Sequence, residues 1–298
     1  MGSESPSRRA TSTRWGGPWR RATAPLRFTP QFLIVGAMKA GTTSLYHHLA
    51  QHPRFAAPAE KELHFFDNNF HRGSRWYRAR FPLRPWMALR RGPRAFSGEA
   101  TPYYLFHPLA PRRARALCPD ARIIVLVRNP VDRAHSHYQQ NVRAGFETLG
   151  FAQALDAEPG RLRGEEERMR RDEQYYSEAH QTFSYLARGE YAPQLARWIE
   201  CFGEGRVLVL GSEEMRADPA EGYARVLGFL GLPAFTPPAF REHNAARYGP
   251  LEPALRARLH ERFRAANERL FAMLGRRFDW EADARPASPR AAPLGSRA

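Results

Sequence analysis

Three nearly continuous apolar runs of strand length stand out in the pattern of hydrophobic and polar positions. They cover residues 32–35, 121–127 and 206–210, and the second is rich in β-branched side chains. Runs without polar alternation are typical of parallel strands that are buried on both faces. Helical spacing follows the first run and returns late in the chain, between Glu252 and Leu274. This alternation predicts an α/β fold with a mainly parallel central sheet that is flanked by helices.

A short loop between Gly36 and Gly41 connects the first apolar run to a predicted helix. Loop amides and the positive end of a helix together form a cradle for a phosphate group. The nucleoside-triphosphatase motif Gly-x4-Gly-Lys-Ser/Thr has its lysine directly after the second glycine. Here that position is Thr42, and the lysine lies inside the loop, at Lys39. The loop therefore predicts a P-loop-like three-layer fold that binds a nucleotide with a shorter phosphate chain and needs no metal.

Lysine is scarce in this sequence. All but two of its 46 Lys and Arg residues are arginines, and the two lysines are Lys39 and Lys61. A compact ammonium group and a planar guanidinium differ in the contacts that they can make. Chance is the alternative explanation, but both lysines fall in segments with other functional signals, which favours a functional role.

The segment 60–67 combines titratable groups with an apolar wall. Its sequence is Glu-Lys-Glu-Leu-His-Phe-Phe-Asp. A carboxylate that is desolvated by such a wall binds a proton more tightly, which suits a general base. From these residues alone, an exposed Glu-Lys-Glu turn that precedes a buried Phe pair is the favoured interpretation.

Arg128 follows the second apolar run, and Ser136 lies two turns into the next predicted helix. An arginine at the carboxyl end of a strand and a serine on the following helix can bind one phosphate together. Alternatively, Asn129 and Pro130 only start the helix, and Arg128 pairs with an acid. The residues alone leave both interpretations open.

These segments together resemble the sulfotransferases that use 3′-phosphoadenosine-5′-phosphosulfate (PAPS), above all the heparan sulfate N- and O-sulfotransferases and their bacterial relatives. The resemblance rests on the loop 36–44, on Glu-Leu-His-Phe-Phe-Asp at 62–67 and on Arg-Asn-Pro-x-Asp-Arg-x-x-Ser at 128–136. It implies transfer of a sulfuryl group from PAPS to a hydroxyl or an amine. Glu62 would be the catalytic base, and His64 would assist near the acceptor.

The resemblance also implies which residues hold the co-substrate. The 5′-phosphosulfate would lie on the loop and the helix start, formed by Lys39, Ala40, Gly41, Thr42, Thr43 and Ser44. Lys39 would also neutralise charge on the departing nucleotide. Arg128 and Ser136 would bind the 3′-phosphate. The loop 237–250 would fold over the nucleotide, with Arg247 and Tyr248 as candidate contacts.

The acceptor is less well specified than the donor. The resemblance favours a glycan of heparan sulfate type or a small glycoside. However, Ala100 stands where many animal relatives have a lysine, which leaves the acceptor type open. The oligomeric state is also left open.

Charge and the two ends of the chain define the expected domain. The formal net charge is +16, which fits a polyanionic partner such as an acidic polysaccharide, a nucleotide or a nucleic acid. Residues 1–29 and 282–298 are rich in Arg, Pro and small residues and are predicted to be disordered tails, so that the sulfotransferase-like domain spans 30–281. Because neither a long apolar run nor a signal-peptide pattern is present, we expect a cytoplasmic protein without a membrane span.

The sequence leaves two alternative functions, a kinase and a nucleic-acid-binding protein, and each conflicts with part of it. A P-loop small-molecule kinase would need a lysine after Gly41, where the sequence has Thr42. A basic nucleic-acid-binding protein would lose affinity steeply with salt, and it would leave the Glu62 segment without a role.

Overall fold

A four-stranded parallel sheet with the strand order β2-β1-β3-β4 forms the centre of the protein. The structure is a computed structural model that describes residues 17–241, 243 and 249–280. Its strands are β1 (Phe32–Gly36), β2 (Gly98–Ala100), β3 (Arg122–Val127) and β4 (Val207–Gly211). The three apolar runs of the sequence form β1, β3 and β4, so the predicted α/β class with a parallel sheet is confirmed.

Helices precede, connect and follow the strands in the described part of the chain. The first seven are α1 (Pro18–Ala22), α2 (Thr42–Ala50), α3 (Gly73–Arg78), α4 (Arg84–Arg91), α5 (Ala110–Leu117), α6 (Pro130–Arg143) and α7 (Phe151–Leu162). The remaining six are α8 (Glu165–Arg171), α9 (Glu178–Thr182), α10 (Tyr191–Phe202), α11 (Ser212–Ala217), α12 (Pro219–Leu230) and α13 (Pro253–Leu274). Among these described helices, none has the length and apolar composition to cross a membrane.

The sheet is buried, which is why its strands lack polar alternation. Every residue of β1 is buried, and in β3 only Arg122 reaches the surface. Phe32 packs against Phe55 and Phe96, with ring centroids 6.0 and 6.1 Å apart. A Cβ atom at Gly98 would lie only 2.4 Å from the Phe32 ring. Glycine is therefore required at the start of β2, where the neighbouring strand approaches closely.

All four strands run in one direction, so their carboxyl ends lie at one edge of the sheet. The pairing of β1 with β3 is regular up to Ile34 and shifts before Gly36. Beyond the shift, the amide of Ala37 donates to the carbonyl of Leu126 over 2.6 Å. This bond fixes the start of the glycine loop against β3. Ligands of parallel α/β sheets bind at this edge.

The structure describes residues 17–29, which the sequence assigned to the disordered tail. Arg20 on α1 donates through Nε to the carbonyl of Ala79 over 2.7 Å. Arg27 is buried and donates through Nη1 to the carbonyl of Phe81 over 2.7 Å. These arginines resemble solvated charges in the sequence, but they bind backbone carbonyls of the segment after α3. Residues 17–29 thus pack on the domain, whereas residues 1–16 and 282–298 lie outside the described residues, so the disorder expected there stays a prediction.

Helices α7, α8 and α9 form a charged region that is tied to the domain by buried carboxylates. Glu158 accepts hydrogen bonds from the amides of Leu186 and Ala187 at 2.6 and 2.8 Å. Glu165 accepts from the hydroxyl of Ser177 at 2.5 Å. The carboxylates therefore hold the chain between α8 and α10 against the rest of the fold, where it reaches the edge of the sheet.

Candidate active site

A cavity of about 660 Å³ opens at the carboxyl edge of the sheet. The glycine loop and the start of α2 line one side of it, with Lys39, Gly41, Thr42, Thr43 and Ser44. Other walls are formed by Glu62, His64, Arg128 and Ser136. The structure thus brings together three segments that are far apart in the sequence.

The glycine loop leaves the amino terminus of α2 open to the cavity. Lys39 and Gly41 have φ angles of +70° and +92°, in the left-handed region that lets the chain turn sharply. No side chain of the described residues caps α2, and its first intrahelical bond runs from the Leu45 amide to the Gly41 carbonyl. The amides before Leu45 have no partner one turn back, so they can bind an anion.

Lys39 is the cation inside this loop. Its Nζ donates to Oε1 of Gln140 over 2.9 Å. Burial, followed by the positive charges of Arg143, Arg128 and Arg133, lowers the pKa of Lys39 to about 8. Burial and the neighbouring arginines disfavour the charged form of the Lys39 ammonium. A bound anion would stabilise that charged form. The loop is therefore prepared for a negatively charged ligand.

Arg128 is directed at the glycine loop and has no ion pair among the described residues. Its Nη1 donates to the carbonyl of Lys39 over 3.0 Å. Asn129 caps α6, because its side chain accepts from the amide of Val131 at 3.0 Å. The capping interpretation of Asn129 is thus correct, but the acid partner expected for Arg128 in that interpretation is not found. Ser136 is buried on α6 and lines the cavity with Arg128.

The segment after α2 brings a carboxylate and an imidazole to the opposite wall. Glu62 and His64 have φ angles of +60° and +48°, which is uncommon for residues with side chains. The Glu62 side chain is 42% exposed, forms an ion pair with Lys61 and lies 3.9 Å from Nε2 of His64. The Phe pair that follows is buried. The interpretation as an exposed turn before a buried Phe pair is correct for Glu62 and the two Phe residues, but Glu60 and Lys61 are partly buried and the cavity is missed.

A buried network under this segment holds its strained backbone. The hydroxyl of Tyr104 accepts from the amide of Phe65 at 2.8 Å and donates to Glu99 at 3.1 Å. Tyr77 also donates to Glu99, at 2.5 Å. Burial raises the pKa of Glu99 to about 7, against the opposing effect of these hydroxyl donors. Glu99 is fully buried and supports the segment from below, next to Ala100.

His64 is oriented by Asp67, a residue to which the sequence assigned no separate role. Its Nδ1 donates to Oδ2 of Asp67 over 2.6 Å. Burial lowers the pKa of His64, but the Asp67 carboxylate more than offsets this, so that the pKa rises to about 9. Burial likewise acts to raise the pKa of Asp67, and the charge of His64 lowers it overall. The two side chains are therefore a charged pair at neutral pH.

Asp67→Asn is expected to remove a pH-dependent part of the protein's stability. Because folding raises the pKa of His64 from 6.5 to about 9, the stabilisation is complete below the lower value and is lost as the pH rises through the higher one. Across this window the wild-type unfolding free energy should fall by on the order of 1–3 kcal/mol more than that of the variant. Urea unfolding at about pH 6 and about pH 10 measures the difference.

The control for this change is Glu166→Gln on α8, which removes an exposed ion pair with Arg170 and should keep the wild-type pH dependence. An NMR titration of His64 gives a direct second readout, with a pKa that falls in Asp67→Asn. An unchanged His64 pKa in that variant would contradict the assigned pairing.

The comparison with known proteins gives the family. The family model described as the sulfotransferase domain matches residues 29–244. The chain belongs to the sulfotransferase family. It is therefore a sulfotransferase enzyme with the predicted P-loop-like α/β fold, and family membership implies PAPS as its co-substrate.

Individual relatives of this sulfotransferase agree with that assignment. Human heparan sulfate glucosamine 3-O-sulfotransferase 6 is 32% identical over 297 residues, which cover 89% of this chain and 75% of the relative. Human bifunctional heparan sulfate N-deacetylase/N-sulfotransferase 2 is 32% identical, but the matched part covers 69% of this chain and only 22% of that protein. A crystal structure of a sulfotransferase from Alicyclobacillus acidocaldarius has 34% sequence identity and a TM-score of 0.65, with 85% of this chain and 99% of that chain covered.

The nucleotide contacts of three predicted site residues stay predictions. Ala40 lies within the loop, is buried and is not among the residues that line the cavity. Arg247 and Tyr248 lie outside the described residues, so their nucleotide contacts stay predictions. Their neighbour His243 does reach the site, where its amide donates to Oγ of Ser44 over 2.9 Å.

Sequence reasoning missed several residues that line the cavity of this sulfotransferase, among them Tyr103, Gln140, Gln181 and Arg188. Gln140 could have been found, because it lies four residues after Ser136 on the same face of α6. Tyr103 follows β2 at the functional edge of the sheet, which is a weaker signal. Gln181 lies on α9 and Arg188 in the turn that follows it, and the sequence assigned neither residue a role.

Proposed function

We propose that this sulfotransferase moves the sulfuryl group of PAPS to a hydroxyl or an amine of a glycan of heparan sulfate type. The observation that carries the proposal is the single cavity that joins the open start of α2, Lys39, Arg128 and Glu62. Among the described residues, the helix end has no side-chain cap and the two cations have no acid partner, which suits a nucleotide with phosphates at both ends. A carboxylate across the cavity suits the acceptor.

In the proposed donor site, the residues hold the two phosphate groups separately. The amides of Gly41, Thr42, Thr43 and Ser44 bind the 5′-phosphate, and Lys39 lies beside it. Arg128 and Ser136 bind the 3′-phosphate through a guanidinium and a hydroxyl. The bound nucleotide supplies the activated sulfuryl group, and the protein supplies position and charge.

In the proposed reaction, Glu62 accepts the proton of the acceptor group. The acceptor oxygen or nitrogen then forms a bond to sulfur while the bond from sulfur to the bridging oxygen of the nucleotide breaks. The ammonium of Lys39 stabilises the negative charge on that departing oxygen, and 3′-phosphoadenosine-5′-phosphate is released. Positioning and preorganised charge account for the rate, as they do in phosphoryl transfer.

A glycan acceptor is supported by the relatives, whose names specify heparan sulfate. The net charge of +16 also suits an acidic chain. A kinase is disfavoured because Thr42 replaces the lysine that binds the terminal phosphates of ATP. A nucleic-acid-binding protein would have no use for Glu62 and His64 in the cavity.

Calorimetric titration with 3′-phosphoadenosine-5′-phosphate tests the donor site, with ATP plus Mg²⁺ as the comparison ligand. We expect the wild type to bind the bisphosphate and to prefer it to ATP. Arg128→Ala should weaken this binding by roughly 10- to 100-fold, because a charge-assisted contact with the 3′-phosphate is lost.

The matched control is Arg206→Ala. Arg206 directly precedes β4, at the end of the sheet away from the cavity, and donates to the carbonyl of Asp120 over 2.9 Å. This variant should bind the bisphosphate as the wild type does. A wild-type preference for ATP would contradict the proposed function and support the kinase.

A further inference from the structure

A buried arginine in the cavity wall takes no part in the proposed reaction. Arg188 is only 3% exposed and lies in the short turn between α9 and α10. Its Nε donates to the hydroxyl of Ser184 at 2.7 Å, and its Nη2 donates to the carbonyl of Gln181 at 2.6 Å. The guanidinium carbon lies 4.8 Å from the centre of the Tyr103 ring. The side chain is therefore fixed before any ligand binds.

The positive charge of Arg188 is offset only at longer range, by the carboxylates of Glu158 and Asp67, and not by a direct ion pair with any described residue. All the oxygen atoms that it contacts belong to neutral groups, and no carboxylate of the described residues forms an ion pair with it. Its Nη1 contacts only the Sδ atom of Met38, at 2.9 Å, and a thioether is a weak acceptor. Burial lowers the pKa of Arg188 to about 10, so the group is still charged at neutral pH. A buried charge of this kind is costly unless an anion pairs with it.

The contacts of Arg188 favour a role in binding the acceptor rather than the nucleotide. The carbonyl of Gln181 accepts from Arg188, and the side chain of Gln181 accepts from Asn68 at 2.9 Å. Asn68 directly follows Asp67, the partner of His64. On its other side Arg188 contacts Met38, next to Lys39. Arg188 thus lies between the glycine loop and the His64 wall, and the proposed phosphate sites have cations of their own.

We propose that Arg188 binds an anionic group of the acceptor, a carboxylate or a sulfate beside the group that is modified, and so determines the selectivity of the enzyme for acidic acceptors. The inference rests on the proposed function. It adds a specificity-determining residue that comes from the turn after α9.

The test compares two acceptors that differ only in charge. One is an unsulfated, N-acetylated oligosaccharide of glucosamine and uronic acid, and the other is the same oligosaccharide with its carboxylates reduced to alcohols. Each is titrated calorimetrically into the protein saturated with 3′-phosphoadenosine-5′-phosphate. The wild type should bind the acidic form roughly 10- to 100-fold more tightly, since a charge-assisted hydrogen bond is made only with it. Arg188→Gln should reduce this preference to about threefold or less, whereas Arg188→Lys should retain part of it.

Arg27→Gln is the matched control, because Arg27 is equally buried and binds neutral oxygens, but lies outside the cavity. It should keep the wild-type preference even if the protein becomes less stable. Equal binding of the two oligosaccharides by the wild type would overturn the proposal. An unchanged preference in Arg188→Gln, together with weaker bisphosphate binding, would also overturn it and assign Arg188 to the nucleotide. Absence of bisphosphate binding in the wild type would instead contradict the proposed function.

Discussion

Lys39→Ala is expected to lower kcat by about 100- to 1,000-fold, which corresponds to roughly 3–4 kcal/mol of transition-state stabilisation. The reason is that the Lys39 ammonium is buried in the glycine loop and held by Gln140 at 2.9 Å. There it can stabilise charge on the departing oxygen without reorganisation. Binding of 3′-phosphoadenosine-5′-phosphate should weaken much less, by roughly tenfold, because the amides of the helix start remain. Single-turnover kinetics and calorimetry measure the two effects separately.

The pH dependence of the same enzyme gives a second readout for Lys39. Its pKa is lowered to about 8, so the charged form is lost as the pH rises above that value. We therefore expect kcat/KM of the wild type to fall above about pH 8, since kcat/KM reports the free enzyme. Lys39→Arg keeps its charge in this range, so its kcat/KM should be lower overall but should lack this fall. A wild-type profile that stays level up to about pH 10 would contradict a role for the Lys39 charge.

Glu62→Gln is expected to lower kcat by about 100- to 10,000-fold, the range that general-base catalysis contributes. The amide has nearly the shape of the carboxylate but does not accept the acceptor's proton at neutral pH. Because Glu62 lies across the cavity from the glycine loop, the affinity for the bisphosphate should change by less than about threefold. This contrast between turnover and nucleotide binding distinguishes the base from a residue that only supports the donor site.

Glu60→Gln is the matched control for Glu62. Glu60 is two residues away and lies 3.6 Å from Nε of Arg80, and it does not line the cavity. The control should keep turnover within about threefold of the wild type. If Glu62→Gln also retained near-normal turnover, Glu62 would not be the base, and the neighbouring His64 would be the next residue to test.

The sequence by itself determined the framework of the site. The continuous apolar runs specified β1, β3 and β4, because a strand that is buried on both faces admits no polar alternation. The glycine loop and Lys39 were predicted from local spacing, since strand, loop and helix are consecutive in the chain. For Arg128 and Ser136 at the end of β3, the local pattern left two interpretations open, and the family resemblance favoured the phosphate site. Contacts within one strand–loop–helix unit depend on short-range geometry, which a sequence pattern records.

Only the tertiary structure decided what faces these units across the cavity. The bond from Lys39 to Gln140 joins residues 101 positions apart, and Arg188 reaches Met38 across 150 positions. The burial of Arg27 against the Phe81 carbonyl placed an apparently disordered segment inside the domain. Each of these contacts depends on how helices and loops pack over the sheet. That packing is set by long-range burial and hydrogen bonding of buried groups, for which the local order of residues carries no periodic signal.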